Sequence, residues 1–179
     1  MIKQNRSLTR DAALISMMSA LIAVSSMISI PFTIPLTLQT FGVFFALFLL
    51  GGRRATVAIA VYVALGAVGI PVFSGFTGGV ARLFDAGGGF IFGFIFAGIA
   101  YAVITWTVKI KSVQLIAAAV ALFVIYFFGA GYYGIVYLSG TESVFTVLKI
   151  AVLPFILPDI LKILFAYSIS KRILRHHTP

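Results

Sequence analysis

The chain has 179 residues, of which 61% are hydrophobic and 9% are charged, and its net charge is +9 at pH 7. A water-soluble globule of this length needs more polar surface, so the composition predicts an integral membrane protein. The basic residues stand in short flanks between apolar runs, which is typical of membrane topology signals and argues against nucleic acid as a partner. The absence of cysteine excludes disulfides and thiolate metal sites.

Six apolar runs predict six transmembrane helices in one membrane domain over residues 1–179, surrounded by membrane lipid. The second run is short for a full span. The approximate ranges of the six runs are 12–30, 36–50, 55–69, 89–108, 113–133 and 149–169. The fold class expected from these runs is an all-α integral membrane protein.

The first run carries small residues at Ala12, Ser16 and Ala20, spaced four apart along one helix face. Such a stripe lets another helix approach closely in lipid. That helix could belong to this chain or to another subunit. The basic flank before the run also resembles a signal peptide, but a length of ~19 apolar residues favours a retained helix.

Residues 30–35 cannot continue this helix, because Pro31 and Pro35 lack the backbone donor that a helix needs. We predict an extended apolar loop on the outer side of the membrane. Thr37 and Gln39 follow at the start of the second helix. The Gln39 side chain could bond a neighbouring helix or contact a ligand.

The segment of residues 72–88 is rich in turn-forming residues, and Arg82 and Asp85 are its only charges. It contains no phosphate-binding glycine motif, so its glycines indicate close backbone approach in an outer loop. The fourth helix then presents Gly89, Gly93 and Ala97 on one small-residue face. In the fifth helix Tyr126 lies deeper than the tyrosines near the outer end, which are typical of an interfacial belt.

The last apolar run contains a carboxylate and an ammonium, Asp159 and Lys162, three residues apart on one helix face. Pro154 and Pro158 are expected to kink this helix just before Asp159. A charge at bilayer depth costs a few kcal/mol (about 2.5–3.5) even on the mildest insertion scale, so the pair indicates a functional site. The other interpretation is a structural ion pair that locks the helix against its neighbours.

Orientation follows from the positions of the basic residues. Ten of the 13 Lys and Arg fall in four regions that lie on one side of a six-helix protein. By the positive-inside rule that side is cytoplasmic, so both termini are predicted to be inside. The four regions contain Lys3, Arg6 and Arg10; Arg53 and Arg54; Lys109 and Lys111; and Lys171, Arg172 and Arg175.

Three of the four acidic residues, Asp85, Glu142 and Asp159, are then outside or within the membrane. Together with Arg82 and Lys162, the carboxylates of Asp85 and Asp159 predict a pocket between helices that opens outward and is polar at one or two points. Such a pocket suits a small amphipathic solute with a carboxylate and an amide-like head.

Several stretches of the chain, taken in order, resemble the BioY family, the biotin-specific S-components of energy-coupling factor (ECF) vitamin transporters. The resemblance covers nearly the whole chain. The stretches are residues 35–41 (PLTLQTF), 66–73 (GAVGIPVF), 77–79 (TGG), 88–94 (GGFIFGF), 153–155 (LPF) and 158–162 (PDILK).

The resemblance implies a six-helix bundle that binds biotin near its outer face in a bacterial cell membrane. Asp159 and Lys162 would contact biotin, with the ureido head at Asp159. The loop from Pro31 to Thr40 would be the gate, with Thr37 and Gln39 near the ligand. We add Tyr126 to the candidate contacts. Arg82 is our candidate for the valerate carboxylate, on the basis of its charge.

The resemblance further implies that helix 1 docks, through Ala12, Ser16 and Ala20, to a transmembrane coupling subunit driven by two ATPase subunits. The family pattern there is Ala-x-x-x-Ala, whereas this chain has Ser16 four residues before Ala20. No nucleotide motif is present, so ATP-driven transport requires such partners. No cofactor or metal is expected.

The alternatives to this interpretation are an enzyme, a proton-coupled carrier and an S-component for another vitamin. An enzyme is not expected, because the only histidines, His176 and His177, lie in the basic tail away from any nucleophile in the membrane. A proton-coupled carrier could use Asp159 as its relay and Lys162 as counter-ion. An S-component for another vitamin would share the same architecture.

Overall fold

A computed structural model describes residues 2–108, 112–140 and 143–177. Within these ranges the chain forms seven α-helices and one small hairpin of two strands. Lys109, Lys111 and Glu142, which entered the topology prediction, lie outside the described residues. The helices are α1 (Ile2–Met27), α2 (Gln39–Leu50), α3 (Gly52–Ala67), α4 (Gly88–Thr107), α5 (Val113–Tyr132), α6 (Val144–Ala151) and α7 (Leu153–His177).

Four stretches in the described residues are long and apolar enough to cross a membrane, with lengths of 20 to 24 residues. They belong to α1, α4, α5 and α7, and the stretch of α5 continues into a short π-helix, Tyr133–Tyr137. Helices α2 and α3 have only 12 and 16 residues. A helix of 12 residues is about 18 Å long, shorter than the ~30 Å hydrocarbon core. The prediction of six transmembrane helices therefore stays a prediction.

Helix α2 forms the centre of the fold. Nine of its 12 residues are buried, and it contacts α1, α3 and α7. Gly42 permits the close approach of α1, since a β-carbon there would lie 3.2 Å from the Ile22 Cα. On the other side, Phe48 makes edge-on ring contacts with Tyr101 of α4 and Tyr167 of α7. An apolar helix with no polar face is expected at such a position.

Helices α4 and α5 pack closely along their length. The small-residue face predicted for the fourth helix is buried at Gly89, Gly93 and Ala97. A β-carbon at Gly89 would lie 2.3 Å from the Tyr132 Cβ. Glycine is required here because the two backbones approach so closely.

The last predicted helix is corrected by the structure, which divides residues 149–169 between two helices. Helix α6 starts before this range, at Val144, and ends at Ala151, and α7 begins at Leu153. The break at Val152, with φ −128° and ψ −57°, precedes Pro154. If α6 continued past Val152, the Ile150 carbonyl would need the N–H of residue 154, which proline lacks, whereas in the first turn of α7 this donor is not needed. Pro158 nevertheless lies inside α7.

The first helix also differs from its predicted range of 12–30. It starts ten residues earlier, because the polar flank is rich in good helix formers, and it ends at Met27. The chain then forms a hairpin instead of a plain extended loop. Strand β1 (Ser29–Ile30) pairs antiparallel with β2 (Leu36–Thr37), and both prolines lie outside the paired residues, where no ladder donor is needed.

The long segment between α3 and α4 packs against both of these helices. It contains a 3-10 helix, Val80–Phe84, and a tight turn in which Phe73 and Thr77 exchange backbone hydrogen bonds of 2.9 and 3.3 Å. This segment and the hairpin lie at the same end of the protein and together roof a cavity.

Candidate ligand-binding site

A cavity of about 190 Å³ lies beneath the hairpin and the segment between α3 and α4. Side chains from these two segments line it, together with side chains from α2, α3, α4, α5 and α7. It contains every residue that the sequence predicted as a ligand contact. These residues are Thr37, Gln39, Arg82, Tyr126, Asp159 and Lys162.

One polar end of the cavity is built on α7. The Lys162 Nζ lies 2.9 Å from the Asp159 Oδ1, as expected for residues three apart on a helix. Asp159 is only 4% exposed. A carboxylate so deeply buried needs a charged partner and further hydrogen bonds, because desolvation alone strongly disfavours the ion.

Tyr126 supplies the second hydrogen bond to this carboxylate. Its hydroxyl on α5 donates to the Asp159 Oδ2 at 2.9 Å, so each carboxylate oxygen accepts one bond. A carboxylate has about four lone-pair positions. Asp159 can therefore accept one or two more N–H groups from a ligand without losing the bonds that hold it.

Lys162 also connects α7 to the hairpin through a hydrogen bond. Its Nζ donates to the backbone carbonyl of Thr37 at 2.7 Å. Two of the three ammonium donors are thus used by Asp159 and Thr37, and the third is available to a ligand. The same side chain therefore contacts the predicted gate and the predicted ligand position.

Arg82 lies at the cavity wall in the 3-10 helix, but its charge is already engaged. Its guanidinium pairs with the Asp85 carboxylate and reaches the Ser74 carbonyl at 3.4 Å. Asp85 also accepts from the Ala86 backbone N–H. A ligand carboxylate at Arg82 would share the guanidinium with Asp85, which weakens the case for Arg82 as its main partner.

Gln39 begins α2 beside the hairpin and is 6% exposed. Its backbone N–H bonds to the Thr37 hydroxyl, but its side-chain amide nitrogen has no hydrogen-bond partner among the described residues. A buried donor without a partner costs about 1–3 kcal/mol. An acceptor from a ligand would satisfy it, which favours ligand contact over the bond to a neighbouring helix.

The rest of the lining is mostly apolar and aromatic. Tyr62 and Ile125 are two wall residues that the sequence did not single out. Tyr62 stands in the middle of α3 and is fully buried. The signal that identified Tyr126, a tyrosine deep in an apolar helix, applies equally to Tyr62. The apolar lining includes Phe73, Phe90, Ile91, Phe94, Ile125 and Phe155.

The small-residue stripe of α1, formed by Ala12, Ser16 and Ala20, is not part of this cavity lining. All three residues are exposed, whereas Met18 and Ile22 on the other side of the helix are buried. Within the described structure these residues therefore do not pack against another helix of the same chain, which was one of the two interpretations of the stripe.

The chemistry of this site is that of binding. It presents hydrogen-bond acceptors, an ammonium and aromatic walls in a partly closed space, with Asp159 held in place by two donors. Among the described residues, no group of three or more His, Asp or Glu side chains is arranged to hold a metal ion.

Comparisons with known proteins agree with one another. The model of the BioY family matches residues 1–178. The chain is 34% identical to the probable biotin transporter BioY of Pyrococcus horikoshii, over 92% of this chain and 96% of that protein. It is 33% identical to the biotin transporter BioY of Thermotoga maritima, over 87% and 90%.

A solved structure, that of the S-component for biotin from an ECF-type ABC transporter, has the same fold. Its TM-score is 0.83, with 24% sequence identity over 96% of this chain and 94% of the other. This likeness establishes the fold. Together with the match of the family model along almost the entire length, it leads to one conclusion: the chain belongs to the BioY family.

Proposed function

We propose that this protein is the biotin-binding membrane subunit of a vitamin uptake system. It captures biotin from the outer side and passes it inward with an ATP-driven coupling module. The observation that carries the proposal is the cluster of buried Asp159 with Lys162 and Tyr126 in a cavity with many aromatic wall residues. Membership of the BioY family and the names of its relatives support biotin as the ligand.

The polar groups of biotin match those of the cavity. The ureido ring has two N–H donors, which the free lone pairs of Asp159 accept. Its carbonyl oxygen accepts from the unpartnered amide of Gln39. The fused rings occupy the aromatic space beside Phe90 and Phe155, and the valerate carboxylate pairs with the third donor of Lys162 or with Arg82.

The hairpin acts as the gate in this proposal. Its residues 32–35 and 37 line the cavity, and the bond from Lys162 to Thr37 holds it closed. A carboxylate that approaches Lys162 competes with the Thr37 carbonyl for the same ammonium. Entry and release of biotin are therefore coupled to the position of the hairpin.

We propose that six helices cross the bacterial cell membrane, namely α1 to α5 and α7, with both termini in the cytoplasm. The exposed stripe at Ala12, Ser16 and Ala20 docks to a transmembrane coupling subunit, which two ATPases drive. Support comes from the exposure of the stripe and from the flanking positive charges, which follow the positive-inside rule.

The test is equilibrium binding of biotin to the purified protein in detergent, with riboflavin and thiamine as controls and without a partner or an ion gradient. Tight and selective binding of biotin supports the proposal. Selective binding of another vitamin would show that biotin is not the ligand, but the protein would still be a vitamin-binding membrane subunit. Failure to bind any of them, with biotin uptake driven by a proton gradient in vesicles, would instead make Asp159 a proton relay.

A further inference from the structure

Ser26, in the last turns of α1, joins that helix to the wall of the cavity. Its side chain is fully buried, at 0% exposure. The hydroxyl lies 2.7 Å from the Ala23 carbonyl of its own helix and also contacts the carbonyl of Val72, 46 residues later. A hydroxyl has a single proton, so these two carbonyls share one donor.

Val72 directly precedes two residues of the cavity wall, Phe73 and Ser74. The Phe73 ring packs edge-on to the Tyr62 ring at 5.6 Å and covers Gly66, where a β-carbon would lie 2.1 Å from it. The Ser74 carbonyl accepts from Arg82. A shift of Val72 would therefore move aromatic and polar groups that face the ligand.

Tyr62 provides a second route from Ser26 to the cavity. It is fully buried and lines the cavity, and its hydroxyl lies near the Ser26 side chain. That hydroxyl has no hydrogen-bond partner of good geometry among the described residues. Ser26 thus adjoins one wall residue, Tyr62 of α3, and also contacts Val72, which directly precedes the wall residues Phe73 and Ser74.

The same helix carries the exposed stripe of Ala12, Ser16 and Ala20, whose centre lies about 80° around the helix axis from Ser26 at ~100° per residue. A rigid helix transmits a displacement along its length, and two sites are coupled when both bias one element. We propose that Ser26 is a positioning residue, which fixes the wall at residues 72–74 against α1 and couples cavity occupancy to the position of that helix. The identity of the ligand that occupies the cavity rests on the proposed function.

A matched control exists in the same helix. Ser19 is also buried, at 3% exposure, and its hydroxyl donates across to the Ala58 carbonyl of α3 at 2.8 Å. Ala58 does not line the cavity. The Ser19→Ala and Ser26→Ala variants therefore remove the same kind of bond, but only the second bond reaches the wall.

The first test needs no ligand. Hydrogen exchange is measured by mass spectrometry on peptides that cover residues 68–79, in the wild type and both variants. We expect exchange at the Phe73 amide to be at least fivefold faster in Ser26→Ala and unchanged in Ser19→Ala. Equal exchange in all three proteins would overturn the inference, whether or not the protein binds biotin.

The second test adds biotin. We expect Ser26→Ala to lower biotin affinity five- to tenfold and to abolish the biotin-dependent change in exchange of residues 18–27, while Ser19→Ala preserves both. Wild-type affinity and an intact exchange response in Ser26→Ala would refute the coupling. If the alanine variant does not fold, Ser26→Cys keeps the side-chain volume with a weak donor and should show the same effects in reduced degree.

These outcomes separate the inference from the proposed function. A wild-type protein that fails to bind biotin overturns the function, and the exchange of residues 68–79 still decides whether Ser26 holds the wall. Conversely, normal biotin binding with no difference between the two serine variants retains the function and removes Ser26 from it.

Discussion

Lys162 on α7 donates a hydrogen bond of 2.7 Å to the backbone carbonyl of Thr37, a residue 125 positions earlier in the chain. The same ammonium pairs with Asp159 at 2.9 Å. One side chain thus neutralises a buried carboxylate and holds the hairpin over the cavity. Stability and ligand binding are expected to depend on it together.

Replacement of Lys162 by methionine keeps the length of the side chain but removes its charge and its donors. Asp159 is then buried without a counter-ion, which costs about 3–5 kcal/mol when one partner of a buried pair is removed. We expect a corresponding loss of stability in denaturant unfolding. The double variant Lys162→Met with Asp159→Asn should recover part of that loss, because no unpaired charge remains. No recovery would contradict a pairwise interaction.

Asp159→Asn should weaken biotin binding by roughly 1–3 kcal/mol, since a neutral amide replaces the charged oxygens that we propose accept ligand N–H groups. Titration calorimetry on the folded variant measures this. Tyr126→Phe is the matched comparison, because it removes a donor to the carboxylate while leaving the charge in place, and a smaller effect of about 0.5–1.5 kcal/mol is expected. Unchanged affinity in folded Asp159→Asn would remove Asp159 from the site.

Ser16→Leu and Ala20→Leu should each abolish copurification with the coupling subunit while biotin binding stays at the wild-type level. A leucine on the stripe prevents the close backbone approach that small residues permit. Ala119→Leu places the same side chain on an exposed position of α5 and should leave docking intact. Wild-type copurification of the stripe variants would refute the role of α1 in docking.

Gly89→Ala should destabilise the protein by about 1–3 kcal/mol, because the new methyl group would meet the Tyr132 Cβ at 2.3 Å and the Phe128 carbonyl oxygen at 2.6 Å. Unfolding in detergent measures the change. Gly131→Ala on α5 is the control, since nothing lies within 4 Å of its β-carbon. Alanine is the better helix former, so this variant should be neutral or slightly more stable. Equal destabilisation of both would argue against tight packing of α4 on α5.

The polar residues of the cavity were predictable because their signal is local. Asp159 and Lys162 stand out as charges in an apolar run, and Gln39 stands out as an amide at the start of another. All three line the cavity. Their roles as ligand contacts remain predictions. The cost of isolated charges in a membrane was enough to predict one pocket for Asp159 and Lys162, whereas only the family resemblance placed Gln39 near the ligand.

Other features have no such local signal. The partner of Lys162 in the hairpin is a backbone carbonyl, which every residue possesses, so the sequence could not single out Thr37 for this bond. The division between α6 and α7 was predicted as a kink at prolines, but whether proline kinks or ends a helix depends on the packing around it. Tyr62 escaped notice because a tyrosine in an apolar helix is also typical of a core.

The charges in the cavity lining have a consequence for the energetics of uptake. Arg82 pairs with Asp85, and Lys162 pairs with Asp159, so the lining is electrically neutral as a whole. An empty cavity that reorients in the membrane carries no net charge across the voltage, whereas a cavity loaded with the biotin carboxylate carries one negative charge. An inside-negative potential opposes that movement by up to ~2.3 kcal/mol per 100 mV. Under the proposed function, inward delivery of the biotin anion is therefore electrogenic, and the proposed ATP-driven module would supply energy against this potential.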